Sequence, residues 1–284
     1  MRKLIVSVVM GAAVLVGTGV PAEAAPRGPR PAVKAKAVAL SLGGKTLWNK
    51  DMHVKRPIAS LTKVMTAIVV LRYESDLDRT LTIKKKYTTY GDKWGASEAG
   101  LVVGDKVKVR DLLYGAMLES GADATAALAD AYGPGYKNFI AKMNATAKRL
   151  KLKKTHYANF DGLPYPSQTS TYSTAAEQIK VARYALRFPT IKKASATKKI
   201  TIRTAKKRTY TFENTNQLIG KYPGILGIKT GYTNGAGYCF MFAAKRGKRT
   251  QIGVILGSPT DKRRFYDARR LLDWGFGDQT REWR

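Results

Sequence analysis

Ser60 and Lys63 stand three residues apart in Ala59-Ser60-Leu61-Thr62-Lys63, just after Pro57. From Leu61 onward, apolar residues at 61, 64, 65, 68 and 71 follow helical spacing and describe a helix buried on at least one face. Pro57 sends the chain into that helix from an extended or turn conformation, so Ser60 lies near its N-terminus with Lys63 one turn on. A hydroxyl at the positive end of a helix, with an amine beside it, is a candidate activated nucleophile. Taken alone, the tetrapeptide fits at least as well a serine N-cap followed by a solvated lysine. The same spacing recurs at Ser195 and Lys198, in a Lys-rich stretch without an apolar helix behind it. The motif needs partners.

Two further stretches supply them. Ser120 precedes Gly121, which interrupts helical patterning between Asp111–Leu118 and Asp123–Ala131, and a residue on such a joint can aim its side chain into a cleft. Lys229-Thr230-Gly231-Tyr232 begins a C-terminal run of strands. There Lys229 and Thr230 offer a charge and a hydroxyl, and Gly231 lets a ligand backbone come close.

The elements that must position these groups are legible from patterning. Val38–Leu42 and Lys45–Trp48, around Gly43-Gly44, read as a hairpin. Thr80–Ile83 and Lys106–Val109 read as short strands joined by a glycine-containing loop. Gly135–Leu150 is amphipathic, with Phe139, Ile140, Met143, Ala147 and Leu150 on one face. Ser173-Thr174-Ala175-Ala176-Glu177 resembles a capping start for a helix running to about Arg187. Lys199–Arg203 with Thr209–Phe212 forms another hairpin. Strands at 227–232, 238–244 and 251–256 then lead to a closing helix over Asp261–Trp274. Strands at both ends around a helical middle predict an α/β (α+β) fold: an antiparallel sheet from the N- and C-terminal segments, flanked by helices, with a mainly helical region of about 60–190 inserted.

Length and charge narrow the class. The 284 residues, 44% hydrophobic, can bury a full core. Met1-Arg2-Lys3, the apolar run Leu4–Val16 and the small residues Ala22–Ala25 predict a secretory signal peptide over 1–25, a Pro/Gly/Arg linker over 26–33 and a single catalytic domain over 34–284. The apolar run is short for a membrane span, no Cys marks a lipoprotein site, and the last ten residues are short for an amphipathic anchor. An exported protein, soluble after signal cleavage and extracellular or wall-associated, is expected. The formal net charge is +31, spread over many short basic runs rather than one arm. With export, that distribution points to anionic wall polymers or anionic lipid headgroups, or to a merely solubilising surface, and no nucleic acid is expected. Cys239 is alone, which leaves no intramolecular disulfide, and lies in an apolar run as a core thiol. With only His53 and His156, a histidine-built zinc site and a Ser-His-Asp mechanism are both disfavoured, so a base other than histidine and no cofactor are expected.

The ordered set Ser60-x-x-Lys63, Ser120-Gly121-x and Lys229-Thr230-Gly231 resembles that of the low-molecular-mass penicillin-binding proteins, the serine-type D-alanyl-D-alanine carboxypeptidases. Asn159–Leu163, Asn214-Thr215-Asn216, Gly227–Cys239 and Arg264-Phe265 extend the resemblance over roughly 34–278. It implies the β-lactamase/transpeptidase-like fold, without the extra C-terminal β-domain of some relatives. It implies that Ser60 attacks the carbonyl between the two terminal D-alanines of a peptidoglycan stem peptide. Lys63 would be the general base, kept neutral by burial and by the charge of Lys229. Ser120 would pass the proton to the departing D-alanine. The backbone N–H groups of Ser60 and Tyr232 would form an oxyanion hole beside Gly231. Thr230 and Arg264, helped by Lys229, would hold the substrate carboxylate. By the same resemblance, β-lactams would acylate Ser60. One residue departs from the family's pattern: its second motif ends in Asn, and Ala122 stands there. Slower acylation is expected. Endopeptidase or β-lactamase chemistry on the same scaffold, or a wall-binding protein with weakened catalysis, are the alternatives.

Overall fold

A computed structural model of the chain describes residues 28–278; the expected signal peptide lies outside them. The N-terminal hairpin comprises β1 (Ala37–Leu42) and β2 (Lys45–Lys50). After the short β3 (Arg56–Pro57), a single 3₁₀ turn over Ala59–Leu61 delivers the chain to α1 (Thr62–Tyr73). A small lobe follows: β4 (Thr80–Thr82), α2 (Lys85–Thr88) and β5 (Lys106–Lys108), with β4 and β5 paired antiparallel. Next come α3 (Val109–Met117), α4 (Ala122–Tyr132) and α5 (Tyr136–Arg149). The short β6 (Tyr172–Ser173) pairs with β3 and precedes α6 (Ala175–Ala185) and α7 (Pro189–Ala196). The hairpin β7 (Lys199–Arg203) and β8 (Thr209–Glu213) leads to β9 (Ile225–Thr233), β10 (Gly237–Arg246), β11 (Arg249–Ser258) and α8 (Asp261–Phe276).

Five strands form one antiparallel sheet in the order β2-β1-β11-β10-β9, so the N-terminal hairpin pairs with the last strand of the chain. Its side chains alternate strictly between two cores, as the period of two requires. Ala37 and Ala39 of β1, Met241 and Ala243 of β10, and Ile252 and Val254 of β11 face the helical region. Val38, Leu40, Phe240, Phe242 and Ile255 face α8, meeting Phe265, Ala268, Leu271 and Leu272. The result is three layers, with each buried Leu, Ile or Phe contributing about 1.5–3 kcal/mol of transfer free energy.

The central helix α1 is buried all round: every residue from Thr62 to Val70 is inaccessible. The expectation of burial on at least one face was therefore too modest. Its polar residues are satisfied internally, Thr62 donating to Ala59 O at 2.8 Å and Thr66 to Phe160 O. The predicted capping start is present at α6, where Thr174 Oγ1 accepts from Glu177 N at 3.1 Å.

Three details add to the sequence reading. The helical region runs past 190, because Pro189 opens α7 at a position where its missing N–H costs nothing and Ile191 and Ala194 bury one narrow face. Ser195 is buried in α7 against Gly227, whereas Lys198 lies exposed beyond the helix, so the second Ser-x-x-Lys brings no amine to a hydroxyl. The described part of the 26–33 stretch is irregular and bonded to α8: Trp274 Nε1 donates to Gly28 O at 3.2 Å and Arg270 to Ala32 O at 3.3 Å.

Candidate active site

A cleft of about 310 Å³ opens between β9, the 3₁₀ turn before α1, the α3–α4 joint and the loops at 94–97 and 163–168. Ser60, Lys63, Ser120, Thr230, Gly231, Tyr232 and Arg264 all line it. Of the eight residues singled out from sequence, Lys229 alone is not in the wall. It lies beneath, 1% exposed.

Ser60 and Lys63 are in contact. Lys63 Nζ donates to Ser60 Oγ at 3.1 Å and to the carbonyl of Asp161, also at 3.1 Å. Tight backbone geometry presents both serines: Ala59, just before Ser60, has φ +46°, and Ser120 has φ +62°. Left-handed conformations are uncommon for such residues and gather at functional sites. The 3₁₀ turn is pinned from two sides. On one side the Asn159–Leu163 loop presses against it; a Cβ on Gly162 would fall 1.9 Å from Ala59 O. On the other side lies β9; a Cβ on Gly231 would fall 2.8 Å from Ser60 N. Gly231 is thus a glycine because two backbones meet there.

Behind the serines, Asp123 ties the 97–101 loop to the start of α4. Its Oδ1 accepts from Ala99 N and Ala124 N at 2.8 Å each, and its Oδ2 from Leu101 N at 2.9 Å. Thr215 Oγ1 lies 2.7 Å from Thr230 Oγ1 and fixes that hydroxyl. Gln168 Oε1 accepts from Gly235 N at 3.1 Å and bridges the rim.

Burial is the largest influence on both buried lysines. Burial pushes the Lys63 amine below its ordinary value, while Asp161 and Asp123 pull it back toward the charged form. The expected help from Lys229 falls instead on Lys229 itself, which burial, then Lys63, then Arg264 hold well below a normal lysine. The reason is local: two carboxylates stand by Lys63, whereas only Glu119 acts in favour of a charged Lys229. Arg264 is no surface residue. Its Nη1 donates to Gly231 O at 3.0 Å and Cys239 O at 3.1 Å, and Nη2 pairs with Asp261. Arg264 therefore holds β9 in register as well as bringing charge to the cleft. Cys239 beneath it is a buried core thiol, as expected, with its pKa pushed up to about 11 by burial.

Sequence reasoning gave no role to Asp161, Gln168 or Trp94, nor to the Thr215 hydroxyl. Asp161 and Thr215 lie in stretches that support the resemblance; Trp94 and Gln168 carried no signal of spacing.

The family model for D-alanyl-D-alanine carboxypeptidase matches residues 25–260. The chain belongs to that family. It is a serine-type D-alanyl-D-alanine carboxypeptidase with the fold of the low-molecular-mass penicillin-binding proteins. It is 43% identical over 245 residues to the D-alanyl-D-alanine carboxypeptidase of Streptomyces sp. strain K15, covering 82% of this chain and 83% of that one. The crystal structure of the Streptomyces K15 DD-transpeptidase superposes with a TM-score of 0.82 at 40% identity, covering 87% of this carboxypeptidase and 99% of that chain. It is 33% identical to DacF of Bacillus subtilis over 82% of its own length, and spans 59% of DacF. The crystal structure of penicillin-binding protein 6B of Escherichia coli matches with a TM-score of 0.78 at 33% identity, over 89% of this chain and 81% of that one.

Proposed function

We propose that the carboxypeptidase removes the terminal D-alanine of peptidoglycan stem peptides through an acyl-enzyme on Ser60. The observation that carries this assignment is the 3.1 Å contact between the Ser60 hydroxyl and a buried lysine amine whose pKa is lowered. Lys63 takes the Ser60 proton as Oγ bonds to the carbonyl carbon between the two D-alanines. The backbone N–H of Ser60, pressed against β9 at Gly231, and that of Tyr232 face the developing oxyanion. As the C–N bond breaks, Ser120 relays a proton to the departing D-alanine. Water, activated by the same lysine, then cleaves the ester and restores Ser60. Thr230, oriented by Thr215, and Arg264 hold the substrate carboxylate, with Lys229 adding a polar support beneath the strand.

A β-lactam presents the same carbonyl and carboxylate, so it acylates Ser60 and blocks the cleft. The predicted signal peptide and the extracellular substrate support export. No helix of the described residues is long and apolar enough to cross a membrane.

The test is D-alanine release from an acyl-D-Ala-D-Ala peptide, together with a penicillin-derived mass increase mapped to the Ser60 peptide. The wild-type enzyme is expected to give both, and Ser60→Ala neither. Release by both proteins, or by neither, defeats the assignment.

A further inference from the structure

A second cavity, of about 500 Å³, lies at the other end of the molecule between the β1–β2 hairpin, the 151–154 turn and α6. Lys151, Lys153, Lys154, Lys180 and Arg183 line it, with His53 at the same rim. All five cationic residues are exposed. Among the described residues none of the five forms an ion pair. The one carboxylate in the wall, Glu177, is engaged in holding the turn: it accepts from Lys154 N at 2.9 Å and from Thr155 Oγ1 at 2.6 Å. Five like charges around one hollow repel one another, and the chain itself supplies them with little compensation.

The type of cation indicates the type of anion. Four are lysines, compact charges on flexible stems drawn from two separate segments. Arg183 is committed in part to Ser41 Oγ at 3.1 Å and Gly44 O at 3.4 Å, so it offers no open fork to a single planar anion. Between the charges the floor is apolar, from Ala39, Met52 and Ile179. Charges spaced around an apolar floor suit phosphates spaced by short carbon units. The cavity also adjoins β2, at the edge of the sheet opposite β9. Four strand spacings put the two edges about 20 Å apart, so an occupant here leaves the catalytic cleft open.

We propose that this cavity binds a phosphodiester-linked polyol polymer and holds the carboxypeptidase on the wall with its cleft free. Poly(glycerol phosphate) is the probe, with binding measured by calorimetry on the full protein. Wild-type affinity should fall about 100-fold between 50 and 200 mM salt, as expected for about five phosphate contacts on a flexible chain. The quadruple variant Lys151→Gln, Lys153→Gln, Lys154→Gln and Lys180→Gln should bind about tenfold or more weakly at constant salt. A control with the same loss of charge, Lys198→Gln, Lys206→Gln, Lys207→Gln and Lys221→Gln, should change affinity by less than about twofold. D-alanine release from a small soluble peptide should be unchanged in both, since none of these residues lines the cleft. Equal weakening by the two variants overturns the proposal, because binding would then follow net charge alone. So does a cavity variant that keeps polymer binding while losing adhesion to phosphatidylglycerol vesicles, which would make the surface a membrane contact. If the quadruple variant melts early, the charge reversal Lys153→Glu with Lys180→Glu takes its place under the same criteria.

Discussion

The Lys63 amine donates to the backbone carbonyl of Asp161 at 3.1 Å, and the side-chain carboxyl of that same residue is buried beside it. Geometry and charge thus reach the base from one residue through two different groups. Burial lowers the Lys63 pKa and the Asp161 charge opposes that shift; in turn burial raises the Asp161 carboxyl and Lys63 lowers it. A lysine base works when neutral, so acylation should rise with pH through the Lys63 pKa, which lies below 10.5. Asp161→Asn keeps the backbone carbonyl and removes the charge that favours protonated lysine. The acid limb of the kcat/KM profile, measured between about pH 4 and 10, is expected to move to lower pH. A limb that stays in place or moves upward contradicts the electrostatic role given to this carboxyl.

Two glycines around Ser60 should fail in different ways. At Gly231 an added Cβ meets Ser60 N at 2.8 Å and Ala59 Cβ at 3.2 Å, so β9 or the serine turn must shift by a fraction of an ångström. Gly231→Ala should fold, with acylation by a penicillin slowed about 100-fold, since small misplacements of a nucleophile cost that much. At Gly162 the Cβ would stand 1.9 Å from Ala59 O and the backbone has φ +86°, so both space and conformation forbid it. Gly162→Ala should lose several degrees of melting temperature or fail to express as folded protein. Stopped-flow acylation alongside a thermal melt separates the two outcomes; a fast, well-folded Gly231→Ala enzyme would remove the close approach from the argument.

Lys229, a substrate-binding residue in the proposed mechanism, is a stability cost to the fold. It is fully buried with a pKa well below that of a lysine in water, and its amine donates to Thr230 O at 3.2 Å. An amine with a depressed folded pKa destabilises the fold wherever the unfolded lysine is protonated. That penalty is full below the folded pKa and fades as pH rises toward 10.5. Lys229→Met is therefore expected to stabilise the enzyme at neutral pH by about 1–4 kcal/mol, as when buried ionic groups give way to apolar ones. The gain should shrink near pH 10 while activity is lost at every pH. Melting curves at pH 7 and 10 decide it, and a variant less stable at pH 7 counts against the reading.

The antiparallel sheet built from the two ends of the chain, and the motif residues that the structure gathers at one cleft, were legible because each rests on a local signal. Apolar runs bounded by tight turns mark β10 and β11 as strands with two buried faces, and the Ser60, Ser120 and Lys229 motifs suggest chemistry by their residue types. What escaped was whatever depends on contacts distant in sequence. The Asp161 carbonyl reaches Lys63 across 98 residues, a distance at which no spacing rule operates. The ion-pairing of Arg264 could be guessed from Asp261 at i−3, but its grip on Gly231 O across 33 residues could not. Helix α7 escaped for a different reason: a stripe of Ile191 and Ala194 among lysines is too narrow to stand out from a solvated loop.

Ala122 sets the last expectation. It starts α4, fully buried, with its N–H donated to Ser97 O at 2.8 Å. The Ala122 Cβ and Glu98 Oε1 each lie 3.3 Å from the point where a Cβ on Gly91 would sit, so the methyl and the carboxylate face one small space. Glu98 Oε1 is buried there without a hydrogen-bond partner, and burial raises the pKa of its carboxyl. An asparagine at 122 could give its NH₂ to that oxygen and keep its carbonyl for a donor in the cleft. The next residue, Asp123, acts on the Lys63 charge, so the start of α4 lies within electrostatic reach of that amine. One added hydrogen bond contributes about 1 kcal/mol, and up to about 3 with a charged partner. Ala122→Asn should accordingly speed acylation about fivefold, and by up to about 100-fold if the new amide meets the ammonium formed on Lys63 in the transition state. Glu98→Gln, introduced with it, should weaken the gain by letting the glutamine amide compete for the same space. An Ala122→Asn enzyme with wild-type melting behaviour and an unchanged acylation rate would falsify the view that a missing amide limits this site.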